Sequence, residues 1–253
     1  MRRIMFLSAG LLCALSVRGQ HSRPEDSRLL DKPIEAAVRT IGKGSLKDML
    51  WMGAAHMRSD YMTFGIEFAG DEAVQPRVLG DVAAGTHVRD FLAGIFRQVP
   101  QYDYEVISSH LVSIYPTGAK DDTKDPLNLA VARFDIENAK AGNVLAFPVQ
   151  FIPELRAALY PETSQHPRVF VYAGSVVPGP AVTVHLTNVT VREILNAVSI
   201  ATESATGDDY PLGWTYRSAA SLAEKGPRFG VFVSLPQDWK DAVHPKQEPM
   251  GRH

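Results

Sequence analysis

Cysteine is almost missing from this chain: Cys13 is the only one among 253 residues. It lies inside the leading apolar stretch, so a chain processed behind that stretch carries no thiol. Disulfide staples, zinc–thiolate sites and cysteine nucleophiles are then excluded, and stability in an oxidising compartment must come from burial. Long apolar runs are missing too. The stretch Ile4 to Leu15, broken only by Ser8 and Gly10, spans about a dozen residues, where a membrane-crossing helix needs roughly 20. Charge of one sign is also scarce, with 26 Lys and Arg against 28 Asp and Glu. That balance argues against nucleic acid or an anionic membrane as the main partner. The chain has no H-E-x-x-H, no G-x-S-x-G and no Gly-rich phosphate loop. No catalytic, cofactor-binding or metal-binding residue is therefore nominated from sequence.

What is present begins with an export signal. Arg2 and Arg3 precede the apolar stretch, and small residues at cleavage spacing follow it, in Ala14-Leu15-Ser16 or Val17-Arg18-Gly19. Residues 1–19 read as a signal peptide, which places the mature protein in the periplasm or outside the cell. Losing Arg2 and Arg3 shifts the formal charge from −2 to −4, and losing Arg18 with them shifts it to −5. Residues 20–43 read as a polar, flexible arm containing Pro24 and Pro33.

A short phrase then occurs twice. His87-Val88-Arg89-Asp90-Phe91-Leu92 is echoed by Thr190-Val191-Arg192-Glu193-Ile194-Leu195. Each copy is an amphipathic helix by spacing. Val88, Phe91, Leu92, Ile95 and Phe96 form one stripe, and Val191, Ile194, Leu195 and Val198 form the other, with Ile200 off it. Thr86 is the expected N-cap of the first helix, and Val189-Thr190 opens the second. A β-like run precedes each copy (77–82 and 181–186) and two follow it: 104–108 with 111–115, then 213–217 with 229–235. A helix over 46–57 and a half-buried strand over 62–68 are also predicted. Two copies are too few for a solenoid. The expected fold is α+β, with two small β-α-β-β modules, each a sheet with a helix packed on one face, joined by an irregular segment. The first module spans 44–120, the connecting segment 121–180 and the second module 181–236, and a loose tail covers 237–253.

The second copy, Leu186-Thr187-Asn188-Val189-Thr190-Val191-Arg192-Glu193-Ile194-Leu195 running on to Val198, resembles the short N-terminal module shared by secretins and TonB-dependent receptors. Leu186, Asn188, Val189, Thr190, Glu193, Leu195 and Val198 carry the resemblance. The first copy is similar in a worn form. The resemblance implies a periplasmic docking element without catalytic residues, whose partner is a secretin-like, receptor-like or regulator-like protein of the cell envelope. The expected function is an exported, non-enzymatic binding or assembly module, with no cofactor, no nucleic acid and no stable membrane span. The alternative is an exported hydrolase with its site between the two modules. Tyr102, Tyr104, Tyr115, Trp214 and Tyr216 are the candidate partner-binding residues, since exposed Tyr and Trp dominate interface hot spots; packing between helix and sheet is their other reading. Asp121, Asp122 and Asp125 lack the spacing of a calcium loop and read as a solvated linker. His185 alternates with Val184 and is expected to face solvent.

Overall fold

The structure is a computed structural model that describes residues 26–35, 37, 46, 50, 62–68, 81–160, 179–203, 211–218 and 228–233. It is an α+β fold with one five-stranded sheet and one two-stranded ribbon. The elements are α1 (Asp26–Asp31), β1 (Thr63–Phe68), α2 (Val88–Phe96), β2 (Tyr102–Val106), β3 (Leu111–Pro116), β4 (Ala130–Lys140) and α3 (Ala141–Ala146). They continue with α4 (Pro148–Phe151), α5 (Pro153–Leu159), β5 (Ala181–Thr190), α6 (Val191–Ala201), β6 (Leu212–Arg217) and β7 (Arg228–Val233). Short 3-10 turns at Ala119–Asp121 and Pro126–Asn128 lie between β3 and β4.

The α+β class follows the sequence, and the two repeated units are joined more tightly than separate modules would be. Strand order in the large sheet is β2-β3-β1-β6-β7. β1 is parallel to both β3 and β6, while β2–β3 and β6–β7 are antiparallel hairpins. The hairpin of each repeat thus flanks β1, a strand of the expected first module that precedes its repeated phrase. The segment expected to be irregular contributes β4, which pairs with β5 from Ala130↔Thr190 to Lys140↔Ala181. β5, the leading strand of the second repeat, consequently stands outside the sheet that holds its own hairpin. Its counterpart in the first repeat, like most of the predicted helix 46–57, lies largely outside the described residues.

The large sheet is covered on both faces. Phe64 and Ile66 of β1, Val112 and Ile114 of β3, and Phe232 of β7 share a core with Val88, Phe91, Leu92 and Ile95 of α2. Leu46 and Leu50 are buried in the same cluster. Across the sheet, Leu212, Trp214 and Tyr216 of β6 share a second core with Val191, Ile194, Leu195 and Val198 of α6. That core also takes in Val131, Phe134 and Ile136 of β4, and Val182 and Val184 of β5. Because strand side chains alternate, β1 feeds both layers. Its alternating pattern suits a half-buried strand, yet Glu67, on the polar phase, is enclosed as well. Glycine makes one close approach possible: a Cβ at Gly65 would lie 2.5 Å from the Trp214 indole, which crosses β1 there.

Both helix stripes are buried as the spacing predicts, with Phe96 only partly so, and Ile200 is the only large hydrophobic among the described residues that is exposed, at 37%. The helix starts differ. Thr190 accepts from the Glu193 N–H while the Glu193 carboxylate accepts from the Thr190 N–H, a complete capping box. In the first helix the N-cap is His87, one residue later than expected, and it makes no side-chain cap. The Thr86 hydroxyl donates instead to the Ala83 carbonyl, at 2.7 Å, so Thr86 closes the preceding turn.

In the ribbon, Asn138 (φ 50°) and Asn188 (φ 54°) take left-handed conformations, which asparagine tolerates better than most residues. Asn138 sits at the register shift between Ile136 and Ala139. The ribbon's apolar side faces α6, and Arg133, Asp135, Thr183, His185 and Thr187 are exposed on the other.

Candidate functional site

The aromatic candidates are held mainly inside the molecule. Trp214 is fully buried, and its indole N–H donates to Asn196 Oδ1 at 2.9 Å. Tyr216 is buried against Phe229, with ring centroids 4.8 Å apart, and burial raises its phenol pKa. Tyr102 belongs to the core beneath α2. Tyr104 is partly buried and stacks on Phe96 at 5.0 Å. Tyr115 is half-buried on the opposite face, with the Lys120 ammonium 4.6 Å and the Arg192 guanidinium 5.8 Å from its ring centre. Burial likewise raises the Tyr115 pKa. The expectation of an exposed aromatic face is corrected for Trp214, Tyr216 and Tyr102. Their rings lie between sheet and helices, because helices cover both faces of the sheet.

The polar surprise lies beneath α6. Its second stripe, Arg192, Asn196 and Ser199, is buried too, and it faces the large sheet while the apolar stripe faces the ribbon. Arg192 Nη1 donates to Glu67 Oε2 at 2.6 Å, and Nη2 donates to Asp125 Oδ2 at 3.0 Å and Asn128 Oδ1 at 3.3 Å. The Arg192, Glu67 and Asp125 side chains are only 5%, 8% and 7% exposed. The expectation that Asp125 belongs to a solvated linker is therefore corrected. Asp125 also accepts from the Leu127 N–H at the start of the 126–128 turn, so its carboxylate caps that turn and binds the guanidinium together. Composition around Asp121–Asp125 could not reveal this, because the cation comes from a helix about 70 residues further on.

The cluster borders a crevice of about 430 Å³. Glu67, Phe68, Thr117, Lys124, Asp125 and Tyr216 are among the residues that line it. β3, β1 and β6 all end beside it, at Pro116, Phe68 and Arg217. Crevices beyond the carboxyl ends of parallel strands are the usual ligand positions in open α/β sheets. Of the three carboxylates in its wall, Glu67, Asp122 and Asp125, the two buried ones, Glu67 and Asp125, are already engaged by Arg192.

At the other end of β3, the β2–β3 turn holds Ser108, Ser109 and His110. The Ser108 hydroxyl donates to Glu203, just beyond α6, and accepts from the His110 and Leu111 N–H groups. Ser109 Oγ is 2.8 Å from His110 Nδ1, and Glu203 Oε2 is 3.5 Å from the same nitrogen. A hydrolytic triad places nucleophile and carboxylate on opposite nitrogens of the ring. With both on Nδ1, this group ties the hairpin to the helix and does not form a relay.

On the ribbon's outer face, His185 Nδ1 lies 2.9 Å from Asp135 Oδ1, and Arg133 also bonds Asp135. The His185 and Arg133 hydrogen bonds hold the Asp135 pKa below its ordinary value. His185 is exposed, in the position its alternation with Val184 predicts.

Compared with protein-family models, curated proteins and solved structures, the chain matches none. Its function must therefore be argued from geometry. Among the described residues no three His, Cys, Asp or Glu side chains converge as a metal-binding group, and no helix is long and apolar enough to cross a membrane.

Proposed function

We propose that this chain is an exported, non-enzymatic binding module that docks on a protein of the cell envelope through an edge of the β4–β5 ribbon. The observation that carries this reading is the ribbon itself. Among the described residues, β4 and β5 pair only with each other. Each strand, of 11 and 10 residues, has an outer edge of backbone N–H and C=O groups that no described strand occupies, the kind of edge an added strand takes. Strand addition of this kind takes its affinity from main-chain hydrogen bonds and its specificity from alternate side chains. The buried aromatics leave the sheet face a structural role, so the edge is the better-supported docking element. The apolar inner face anchors the ribbon on α6, which would hold a recognition edge rigid.

The test uses tagged protein produced with its own leader, captured from detergent-solubilised envelope extract and read by mass spectrometry. Recovery of one outer-membrane pore, receptor or regulator, lost in Ala130→Lys/Ala132→Lys protein with unchanged circular dichroism, is the expected result. Both alanines are exposed on β4, and edge lysines oppose strand addition. Recovery that is unchanged in that variant would sink the edge reading, and recovery of nothing specific would sink the docking function.

A further inference from the structure

Two carboxyl groups share a single guanidinium beneath α6, in a place nearly closed to water. Arg192 offers one positive charge, and Glu67 and Asp125 both bond to it. Among the described residues, the remaining neighbours supply no second buried cation. Asn128 of the 126–128 turn is neutral, and Tyr115 of β3 and Tyr216 of β6 present phenols. Lys120 lies over the Tyr115 ring and bonds Glu105. Lys124 and Asp122 stand in the crevice wall on exposed backbone. Surplus negative charge in low dielectric is expensive, and the accessible remedy is to bind a proton. Glu67 borders the crevice, so protons can reach it without unfolding.

We propose that the cluster is a proton-binding latch, in which Glu67 takes up one proton that balances the surplus carboxyl charge around Arg192 and holds β1, α6 and the 126–128 turn together. The direction of its titration agrees. Burial pushes Glu67 from 4.5 up to about 7, against the opposing pull of Arg192, and a hydrogen bond with Asp125 adds to the rise. A carboxyl group raised in the folded state contributes stability that is complete below its unfolded pKa and is lost as pH rises through the folded one. The latch is thus closed in mild acid and loosens as pH rises from 4.5 through about 7, the two values between which its contribution to stability is lost. This device is independent of the docking reading, and either can fail without the other.

The experiment is denaturant unfolding of the whole protein at pH 5, 6, 7 and 8, for wild type and Glu67→Gln. The amide keeps the shape and cannot titrate. The ratio of wild-type to variant folding constants should fall by between one and two orders of magnitude from pH 5 to pH 8. A ratio independent of pH overturns the proposal. Infrared spectra of wild-type protein carrying carbon-13 glutamate give a second reading that needs no variant. A protonated-carboxyl band that persists at pH 6 and vanishes by pH 8 is expected, and its absence at pH 6 overturns the latch. If Glu67→Gln folds and the band survives in it, the proton sits elsewhere and the assignment to Glu67 is wrong.

Discussion

The two repeated helices start from nearly the same phrase and end in different environments. Arg89 of α2 reaches outward to Asp31, and both side chains are at least half exposed. Arg192, at the matching place in α6, is enclosed with Glu67 and Asp125. α2 buries one apolar stripe against one face of the sheet. α6 is sandwiched between the sheet and the ribbon, so its polar side is buried as thoroughly as its apolar side. The same local code therefore yields a surface helix where one layer lies beneath it and a central helix where layers lie on both sides. The hairpins diverge in parallel: Tyr104 stacks on Phe96 at the margin of one core, and Trp214 sits fully buried in the other with its N–H satisfied by Asn196. One lesson is that a charged residue in a repeat is neutral evidence about burial until its partners are known.

Substitutions at matched positions can break this asymmetry. The largest difference is expected between the arginines. Arg192→Ala leaves two buried carboxyl groups without their cation and should cost about 3–5 kcal/mol. Arg89→Ala removes a surface pair and should cost less than about 1 kcal/mol. Urea unfolding of both variants checks this, and equal losses would show that the two helices are not differently embedded. Next come the aromatics. Trp214→Ala removes a large side chain that the surrounding core cannot refill, for about 3–5 kcal/mol. Tyr104→Ala, half-buried on one stacking partner, should cost about 1–2 kcal/mol. Thermal melts that rank Tyr104→Ala as the worse variant would place the weight of packing in the first hairpin. The smallest contrast concerns the helix starts. Thr190→Ala dismantles a capping box at a cost of about 1 kcal/mol, while Thr86→Ala, outside the helix, should stay within about 0.5 kcal/mol. Equal effects would mean that Thr86 caps α2 in solution.

Much of the local structure could be read without coordinates. The i, i+3, i+4, i+7 spacing named the buried apolar residues of both helices and left Ile200 outside, but not the buried polar stripe Arg192, Asn196 and Ser199. Val189-Thr190 marked the start of the second helix, and the break between the runs 104–108 and 111–115 marked the first hairpin. These signals lie within a few residues of one another, and short-range geometry is enough to interpret them. The candidate site was legible only in fragments. Asp125 read as linker because its partner lies on α6. Glu67 read as the solvent side of a half-buried strand because nothing in 62–68 tells that helices cover both faces. Trp214 and Tyr216 could be read as anchors or as core from alternation alone, since a face can point equally to water or to a helix. Asn138 and Asn188 carried no visible signal for the bends they make in the ribbon.

By itself, the chain determined its small units: two amphipathic helices, their hairpins, the absence of thiols after the leading stretch, and the α+β class. These depend on periodicity, capping and turn chemistry, which act over one or two turns of backbone. Only the tertiary structure decided that both hairpins join through β1 into one sheet, that β5 leaves its own repeat to pair with β4, and that α6 is covered on two sides. Those outcomes depend on which distant surfaces exclude water from each other, and desolvation at that range also turns an ordinary Arg, Glu and Asp into a buried, proton-sensitive cluster.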